Sequence, residues 1–293
     1  MEVNQMDVYN AFLQGDLYEE VYMTIPEGFS KPRRKAGQVC KLLKSLYGLK
    51  QASRQWNIKL STALTSAGFQ QSTGDYSLFT KKEGEKIVII LVYVDDLLLT
   101  GNDGSMIQHT KDVLQTTFKI KDLGELKYFL GIEFARSEAG ILMHQRKYAL
   151  ELVAYMGLAG AKPVTTPMDQ NQKLTTTEFD QYVPSSHEDP GLTDHTSYQK
   201  LIGRLLYLTT TRPDIAFAVQ TLSQFMHSPK KSHMEAAMRL VRYVKNAPGL
   251  GILMSSGGDN LMKVYCDADW GACVNSRKSI TGYVLQYGNS PIS

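Results

Sequence analysis

Lys86-Ile87-Val88-Ile89-Ile90-Leu91-Val92-Tyr93-Val94-Asp95-Asp96-Leu97-Leu98-Leu99-Thr100 is a run of aliphatic, β-branched and aromatic residues interrupted once, by two adjacent carboxylates. Residues 86–94 have the composition of a buried strand, and 97–100 continue as a second one. The interruption puts Asp95-Asp96 at the tip of a hairpin. Such a turn ordinarily takes Asn-Gly or Asp-Gly; this one has no glycine and doubles the negative charge. Burying either carboxylate as an ion is costly unless a cation or hydrogen bonds compensate. The pair therefore reads as a solvent-exposed turn or as ligands of a divalent metal.

A turn at Lys82-Glu83-Gly84-Glu85 joins the first run to a strand at 76–80. Ala52, Trp56, Leu60, Ala63, Leu64 and Ala67 recur at helical spacing over residues 50–67, and Gly68 ends that helix. A weaker helical pattern covers 105–118. Residues 128–136 and 140–144 form another hairpin through Ser137-Glu138-Ala139, followed by a helix at 146–156. Near the start, Asp7 sits at the edge of a further strand, before Ala11-Phe12-Leu13. Three carboxylates converging from two strand ends could hold two Mg²⁺ ions, which favour oxygen ligands.

Residues 162–197 are rich in Thr, Ser, Pro, Asp and Gln without apolar period, and read as a linker or long surface loop. Helical spacing then returns. Tyr198, Leu201, Ile202 and Leu205 share a face, as do Ile215, Ala218, Val219, Leu222, Phe225 and Met226 after Pro213. Ser232-His233-Met234-Glu235 has the capping-box pattern that opens a third helix with a basic outer side, Arg239, Arg242 and Lys245. The tail offers two short strands, 263–266 and 280–286.

The 293 residues allow about two domains, and 43% apolar content is enough for a core. The longest apolar run, 87–94, is too short to cross a bilayer, and no signal-peptide pattern opens the chain. Cys40, Cys266 and Cys273 are odd in number and have no zinc-like spacing. An intracellular, soluble mixed protein is expected. Net charge is only +3, but residues 28–74 contain no acid and nine cations: Lys31, Arg33, Arg34, Lys35, Lys41, Lys44, Lys50, Arg54 and Lys59. Such a stretch attracts polyanions, unless acids elsewhere in the fold neutralise it.

Tyr93-Val94-Asp95-Asp96 between apolar strands resembles the polymerase motif of reverse transcriptases. Asp7-Val8-Tyr9-Asn10-Ala11-Phe12-Leu13 with Gly15-Asp16-Leu17, then Val21-Tyr22-Met23 and Pro26-Glu27-Gly28-Phe29, resembles the first aspartate motif of the Ty1/copia class of LTR retrotransposons. Residues 46–56, Leu-Tyr-Gly-Leu-Lys-Gln-Ala-Ser-Arg-Gln-Trp, are similar to that class's second, nucleotide- and template-contacting motif. Phe129-Leu130-Gly131-Ile132-Glu133 resembles its primer-gripping hairpin, and Thr211-Arg212-Pro213-Asp214-Ile215 a later signature of the Pol polyprotein. Tyr265-Cys266-Asp267-Ala268-Asp269-Trp270 looks like the opening strand of the ribonuclease H domain.

The resemblance implies an α+β fold: a palm of antiparallel sheet backed by helices, with partial fingers, over 1–135; the end of the primer-grip hairpin and a thumb-like helix over 136–161; the linker, 162–197; a helical connection, 198–250; and a truncated ribonuclease H start, 260–293. It implies RNA-directed DNA polymerase activity by a two-metal mechanism. The cofactor would be two Mg²⁺, with Mn²⁺ as a substitute, and the partners an RNA or DNA template with primer and deoxynucleoside triphosphates, with no membrane. Asp7, Asp95 and Asp96 match the metal-binding carboxylates, and Val8 would add a backbone carbonyl. Phe12 matches the sugar-selecting aromatic; read without the resemblance it is ordinary core. Tyr47 and Gly48 match the nucleotide-packing position. Lys50, Gln51 and Arg54, with Leu130 and Gly131, fall at nucleic-acid-contacting positions, although Lys50 and Arg54 read equally as solvated helix charges. Asp267 matches the first ribonuclease H carboxylate.

The family's upstream fingers segment and later ribonuclease H acids are absent from the sequence. The reading that competes with an active polymerase is therefore an inactive nucleic-acid-binding remnant; a different metal-dependent phosphotransferase and a structural subunit are further alternatives. No ribonuclease activity is expected of Asp267 and Asp269 alone. Cytoplasmic particle or nucleus, host and oligomeric state stay open.

Overall fold

Alternation of buried and open side chains builds the first sheet. In the computed structural model, which describes residues 2–29, 37–169, 172–183 and 188–293, the chain divides into two units, Met1–Leu126 and Lys127–Ser293. The first unit runs β1 (Val3–Val8), α1 (Ala11–Gln14), β2 (Tyr22–Thr24), β3 (Val39–Lys41), α2 (Ala52–Ser66), β4 (Gln70–Gln71), β5 (Leu78–Glu83), β6 (Lys86–Tyr93), β7 (Asp96–Gly101), α3 (Gly104–Thr117) and β8 (Ile120–Glu125). Six strands form one sheet in the order β4-β5-β6-β7-β1-β8, antiparallel at every pairing.

One face of this sheet is the core. Met6, Val8, Val88, Ile90, Leu97 and Leu99 are buried there with Trp56, Leu60 and Leu64 of α2 and Met106, Ile107 and Leu114 of α3. The expected buried strand is fully buried on one face only: β6 buries Val88 and Ile90 and leaves their neighbours half-open, as in an antiparallel sheet covered on one side. The period of two then sends alternate residues of β1, Gln5 and Asp7, to the face away from the helices. β8 escaped the sequence reading because Lys121, Asp122, Gly124 and Glu125 mask its alternation. α2 and α3 lie within two residues of their expected ends, and Asp103 caps α3 by accepting from the Met106 N–H at 2.8 Å.

The second unit contains β9 (Tyr128–Phe129), β10 (Ile132–Ser137), β11 (Gly140–His144), α4 (Arg146–Tyr155), α5 (Thr177–Tyr182), α6 (His195–Leu208), a 3₁₀ turn (Pro213–Ile215), α7 (Ala216–Ser223), α8 (Lys231–Asn246), β12 (Gly251–Ser255), β13 (Met262–Asp269), β14 (Ile280–Tyr287) and β15 (Ser290–Pro291). Tyr198, Leu201, Ile202 and Leu205 of α6 pack with Ala218, Val219 and Leu222 of α7 and Ala237, Leu240, Val241 and Val244 of α8.

Three expectations are corrected here. Residues 128–136 are not one strand: Leu130 and Gly131, at φ 48 and 78, turn β9 back onto β10. Helix α8 opens at Lys231, earlier than the Ser232 pattern indicates, because Lys230 N–H donates to His233 Nδ1 at 3.0 Å while Ser232 bonds to Asp189 instead. The stretch 162–197 contains α5, and Leu174 within it is buried. The basic outer side of α8 is structural. Lys245 Nζ donates to the carbonyls of Leu158, Ala159 and Ala161, Arg242 Nε to that of Lys162, and Arg239 Nη2 to Thr166 Oγ1. Strands β13 and β14 pair antiparallel as expected, with Asp267 opposite Gly282.

Candidate active site

The β1–β7 register sets Asp7 directly opposite Asp96, and opposed residues on one sheet face have Cβ atoms about 4.5–5.5 Å apart. The β6–β7 hairpin closes through the Tyr93–Asp96 pair, leaving Val94 and Asp95 as its turn. Asp95 is tied to the same place by its carbonyl, which accepts from the Val8 N–H at 2.8 Å. Val94 sits at φ 55, a conformation that is strained for a β-branched residue. Its carbonyl accepts from Trp56 Nε1 at 2.6 Å, so α2 holds the turn from behind.

Asp7 is within electrostatic reach of both neighbouring carboxylates. The Asp7 carboxyl is pushed above the ordinary range, first by burial and then by repulsion from Asp96 and Asp95; Lys121, its partner across β1–β8, opposes the shift. Gln5, two residues before Asp7, donates from Nε2 to Asp96 Oδ1 at 2.9 Å. Sequence reasoning missed Gln5 and Lys121. The strand period marks Gln5 as sharing the face of Asp7, whereas Lys121 needs the register of a strand that the sequence did not reveal.

Phe12 and Tyr47 flank this site, with ring centroids 4.5 Å apart and tilted by 43°. The Tyr47 hydroxyl is pushed up by burial and then by repulsion from Asp95, with Asp7 adding to it, which puts Tyr47 within electrostatic reach of both carboxylates. Gly48, at φ 93, follows in the left-handed conformation that glycine permits. A cleft of ≈ 440 Å³ opens beside Phe12, lined also by Arg54, Asn57, Tyr76 and Val94.

Lys50 and Arg54 are exposed, and no ion pair engages either among the described residues. Gln51 Nε2 donates to Glu19 Oε2 at 2.6 Å. Lys41 is paired with Glu20, and Lys59 with Asp16 at 2.8 Å, so part of the basic stretch is neutralised by acids that precede it. Lys31, Arg33, Arg34 and Lys35 lie outside the described residues. Leu130 and Gly131 form their turn in the second unit, where the Tyr207 hydroxyl donates to the Leu130 carbonyl. Asp267 is exposed on β13.

A divalent metal can be tested against the first unit's donor set. Asp7, Asp95 and Asp96 are hard oxygen donors whose mutual repulsion a cation would relieve. Among the described residues no three His, Cys, Asp or Glu side chains are grouped so as to close on one ion. Mg²⁺ usually takes one or two carboxylates and completes its shell with waters and substrate phosphates, so the hard oxygen donors Asp7 and Asp96, opposed in register, are of the type it takes.

The profile of the reverse transcriptase (RNA-dependent DNA polymerase) family matches residues 1–170, more than half of the 293. The chain belongs to that family. Its relatives from Arabidopsis thaliana and Nicotiana tabacum are Pol polyproteins of the Ty1/copia type. The retrovirus-related Pol polyprotein from transposon RE1 of Arabidopsis thaliana is 45% identical over 291 residues, 99% of this chain and 19% of that protein. The corresponding polyprotein from transposon TNT 1-94 of Nicotiana tabacum is 38% identical over 297 residues, 100% of this chain and 22% of that protein. The putative transposon Ty5-1 protein of Saccharomyces cerevisiae is 32% identical over 290 residues, 98% of this chain and 91% of that protein. The chain thus spans about a fifth of the plant polyproteins it matches. No helix of the described residues is long and apolar enough to cross a membrane.

Proposed function

We propose that the chain is the polymerising region of a copia-type reverse transcriptase, adding deoxynucleotides to a primer 3′-end on an RNA or DNA template with release of pyrophosphate. The observation that carries this reading is the β1–β7 register, which sets Asp7 against Asp96 beside the Asp95 turn. Asp7, Asp95 and Asp96, with the Val8 carbonyl, would hold two Mg²⁺ ions or Mn²⁺ in their place. When bound, such ions supply charge stabilisation to an in-line phosphoryl displacement and favour ionisation of the attacking hydroxyl.

The chain's own groups account for the rest. Phe12, backed by Tyr47, forms an aromatic wall against which a deoxyribose packs and a 2′-hydroxyl is excluded. Gly48 keeps the neighbouring backbone open to the nucleotide. Lys50, Gln51 and Arg54 contact the phosphates of the template or primer, and the tight Leu130-Gly131 turn presents backbone to the primer. The region 260–293, with Asp267, is read as the start of a ribonuclease H domain.

Primer extension by the purified chain, with and without Mg²⁺, tests the reading. Mg²⁺-dependent incorporation abolished by Asp95→Asn and by Asp96→Asn is expected, and Phe12→Ala should admit ribonucleotides. Retention of primer–template binding without incorporation would assign the chain to an inactive nucleic-acid-binding remnant. Incorporation indifferent to both aspartate substitutions would remove the carboxylates from the mechanism.

A further inference from the structure

Gln5 is a polar side chain that the mechanism above does not use. It is only 8% exposed, on the sheet face that carries Asp7 and Asp96. Its Nε2 donates to Asp96 Oδ1 at 2.9 Å, diagonally across the strand pair, since Gln5 itself lies opposite Leu98. An ionised carboxylate accepts only, so chemistry fixes which end of the carboxamide faces it. On its other side Gln5 pairs with Gly124, and the β1–β8 register shifts between Gln5 and Met6.

We propose that Gln5 is a positioning residue for Asp96: it commits Oδ1 to a fixed hydrogen bond, so that Oδ2 is the oxygen left to take a divalent cation. This rests on reading the three aspartates as a metal site. Asp96 follows directly on a hairpin turn, where a carboxylate without a partner would sample several rotamers, and a cation would have to order it on binding. A prior hydrogen bond removes that cost. Outer-shell partners of metal ligands are typically worth 10–100-fold in metal affinity.

The test is a Mn²⁺ titration of the full chain without nucleotide or nucleic acid, followed by electron paramagnetic resonance of the free ion. Wild type should bind, and Asp96→Asn should bind more weakly. Gln5→Met keeps the length and removes the donor, and it should lose about tenfold in affinity. The double variant should bind no more weakly than Asp96→Asn alone, because Gln5 acts only through Asp96. Wild-type affinity in Gln5→Met, or an additive loss in the double variant, overturns the assignment of Gln5 while leaving the metal site standing. No Mn²⁺ binding by wild type, or binding indifferent to Asp96→Asn, overturns the metal-site reading and this inference with it. If Gln5→Met does not fold, the side-chain amide NMR resonances of Gln5 in the Asp96→Asn chain replace it: a shift from wild type supports the bond, and unchanged resonances overturn it.

Discussion

Val94 shows how much of this site lies in single backbone angles. A non-glycine residue in the left-handed region costs about 1–2 kcal/mol, yet the turn holds Val94 there, between the Trp56–Val94 bond and the Val8–Asp95 bond. Val94 is 41% exposed, so removing its side chain gives up little packing. Val94→Gly relieves the strain but adds freedom to the unfolded chain, worth roughly 0.4–1 kcal/mol in the opposite direction. Urea unfolding should therefore show stability equal to wild type or up to about 1 kcal/mol higher. Val88→Gly, in the same hairpin but fully buried, should lose more than about 2 kcal/mol. A comparable loss at both positions would mean that Val94 is packed, not strained. At this scale the sequence was partly legible. The absence of glycine at 94–95 signalled an unusual turn, and the strand period places Gln5 beside Asp7. The meeting of Phe12 with Tyr47 depends on how α1 and the 46–50 turn come together, which no local pattern encodes.

Helices and strands were read where periodicity was strong and missed where long-range pairing supplies the stability. The segment before α6 looked like a linker because it has no apolar period, but polar groups anchor it. Lys230, 2% exposed, donates to Asp180 Oδ2 at 2.5 Å and Thr175 Oγ1 at 3.1 Å, and lies 3.0 Å from Asp189. Burial alone would lower its ammonium, and the two carboxylates outweigh burial and raise it. Removing one partner of a buried ion pair costs about 3–5 kcal/mol. Lys230→Met should accordingly destabilise the second unit by that order, with faster hydrogen exchange at 174–182 than elsewhere in it. His233 beside it is fully buried, stacked on Phe225, and its Nε2–H donates to the Thr175 carbonyl. Burial, then the Lys230 charge, lowers its imidazolium from 6.5 to about 4. The unfolded chain thus binds a proton between those values that the folded chain refuses, and stability falls as pH drops from 6.5 toward 4. The Asp180 and Asp189 carboxyls, held below their ordinary range despite burial, steepen the loss at the acid end. His233→Gln supplies an acceptor and a donor without titrating. The fall of its thermal midpoint between pH 6.5 and 4.5 should be shallower than that of wild type.

For the molecule as a whole, predictions attach to two surfaces of the described residues. Lys50 and Arg54 are exposed, Arg54 on the rim of the Phe12 cleft, and each phosphate contact contributes about 0.9 to the slope of log affinity against log salt on duplex DNA. Neutralising both should flatten that slope by roughly two for a primer–template; an unchanged slope would assign them to solvent.

The second surface is the last sheet, in the order β13-β14-β15 with β13 at one edge. Val264 and Tyr265 point to opposite faces of β13 yet are equally exposed, at 58% each, so both faces are open at that point of the strand. Tyr283 and Val284 repeat the pattern on β14. A hairpin with apolar side chains on both faces and an unpaired ladder along one edge is a template for pairing with another chain. Natural edges are protected by lysine, and β13 carries its only lysine at Lys263, where it pairs with Asp259 at 3.0 Å. Placing a lysine at Val264 charges the adjacent edge position on the opposite face. Because Val264 is already open to water, the substitution removes little buried surface, and the thermal midpoint should stay within about 2 °C of wild type. Concentration-dependent association, measured by light scattering, should fall. If Val264→Lys leaves association unchanged, the edge is not the associating surface. If it lowers the midpoint by more than that, Val264 is covered in solution by a contact that the exposed strand does not reveal.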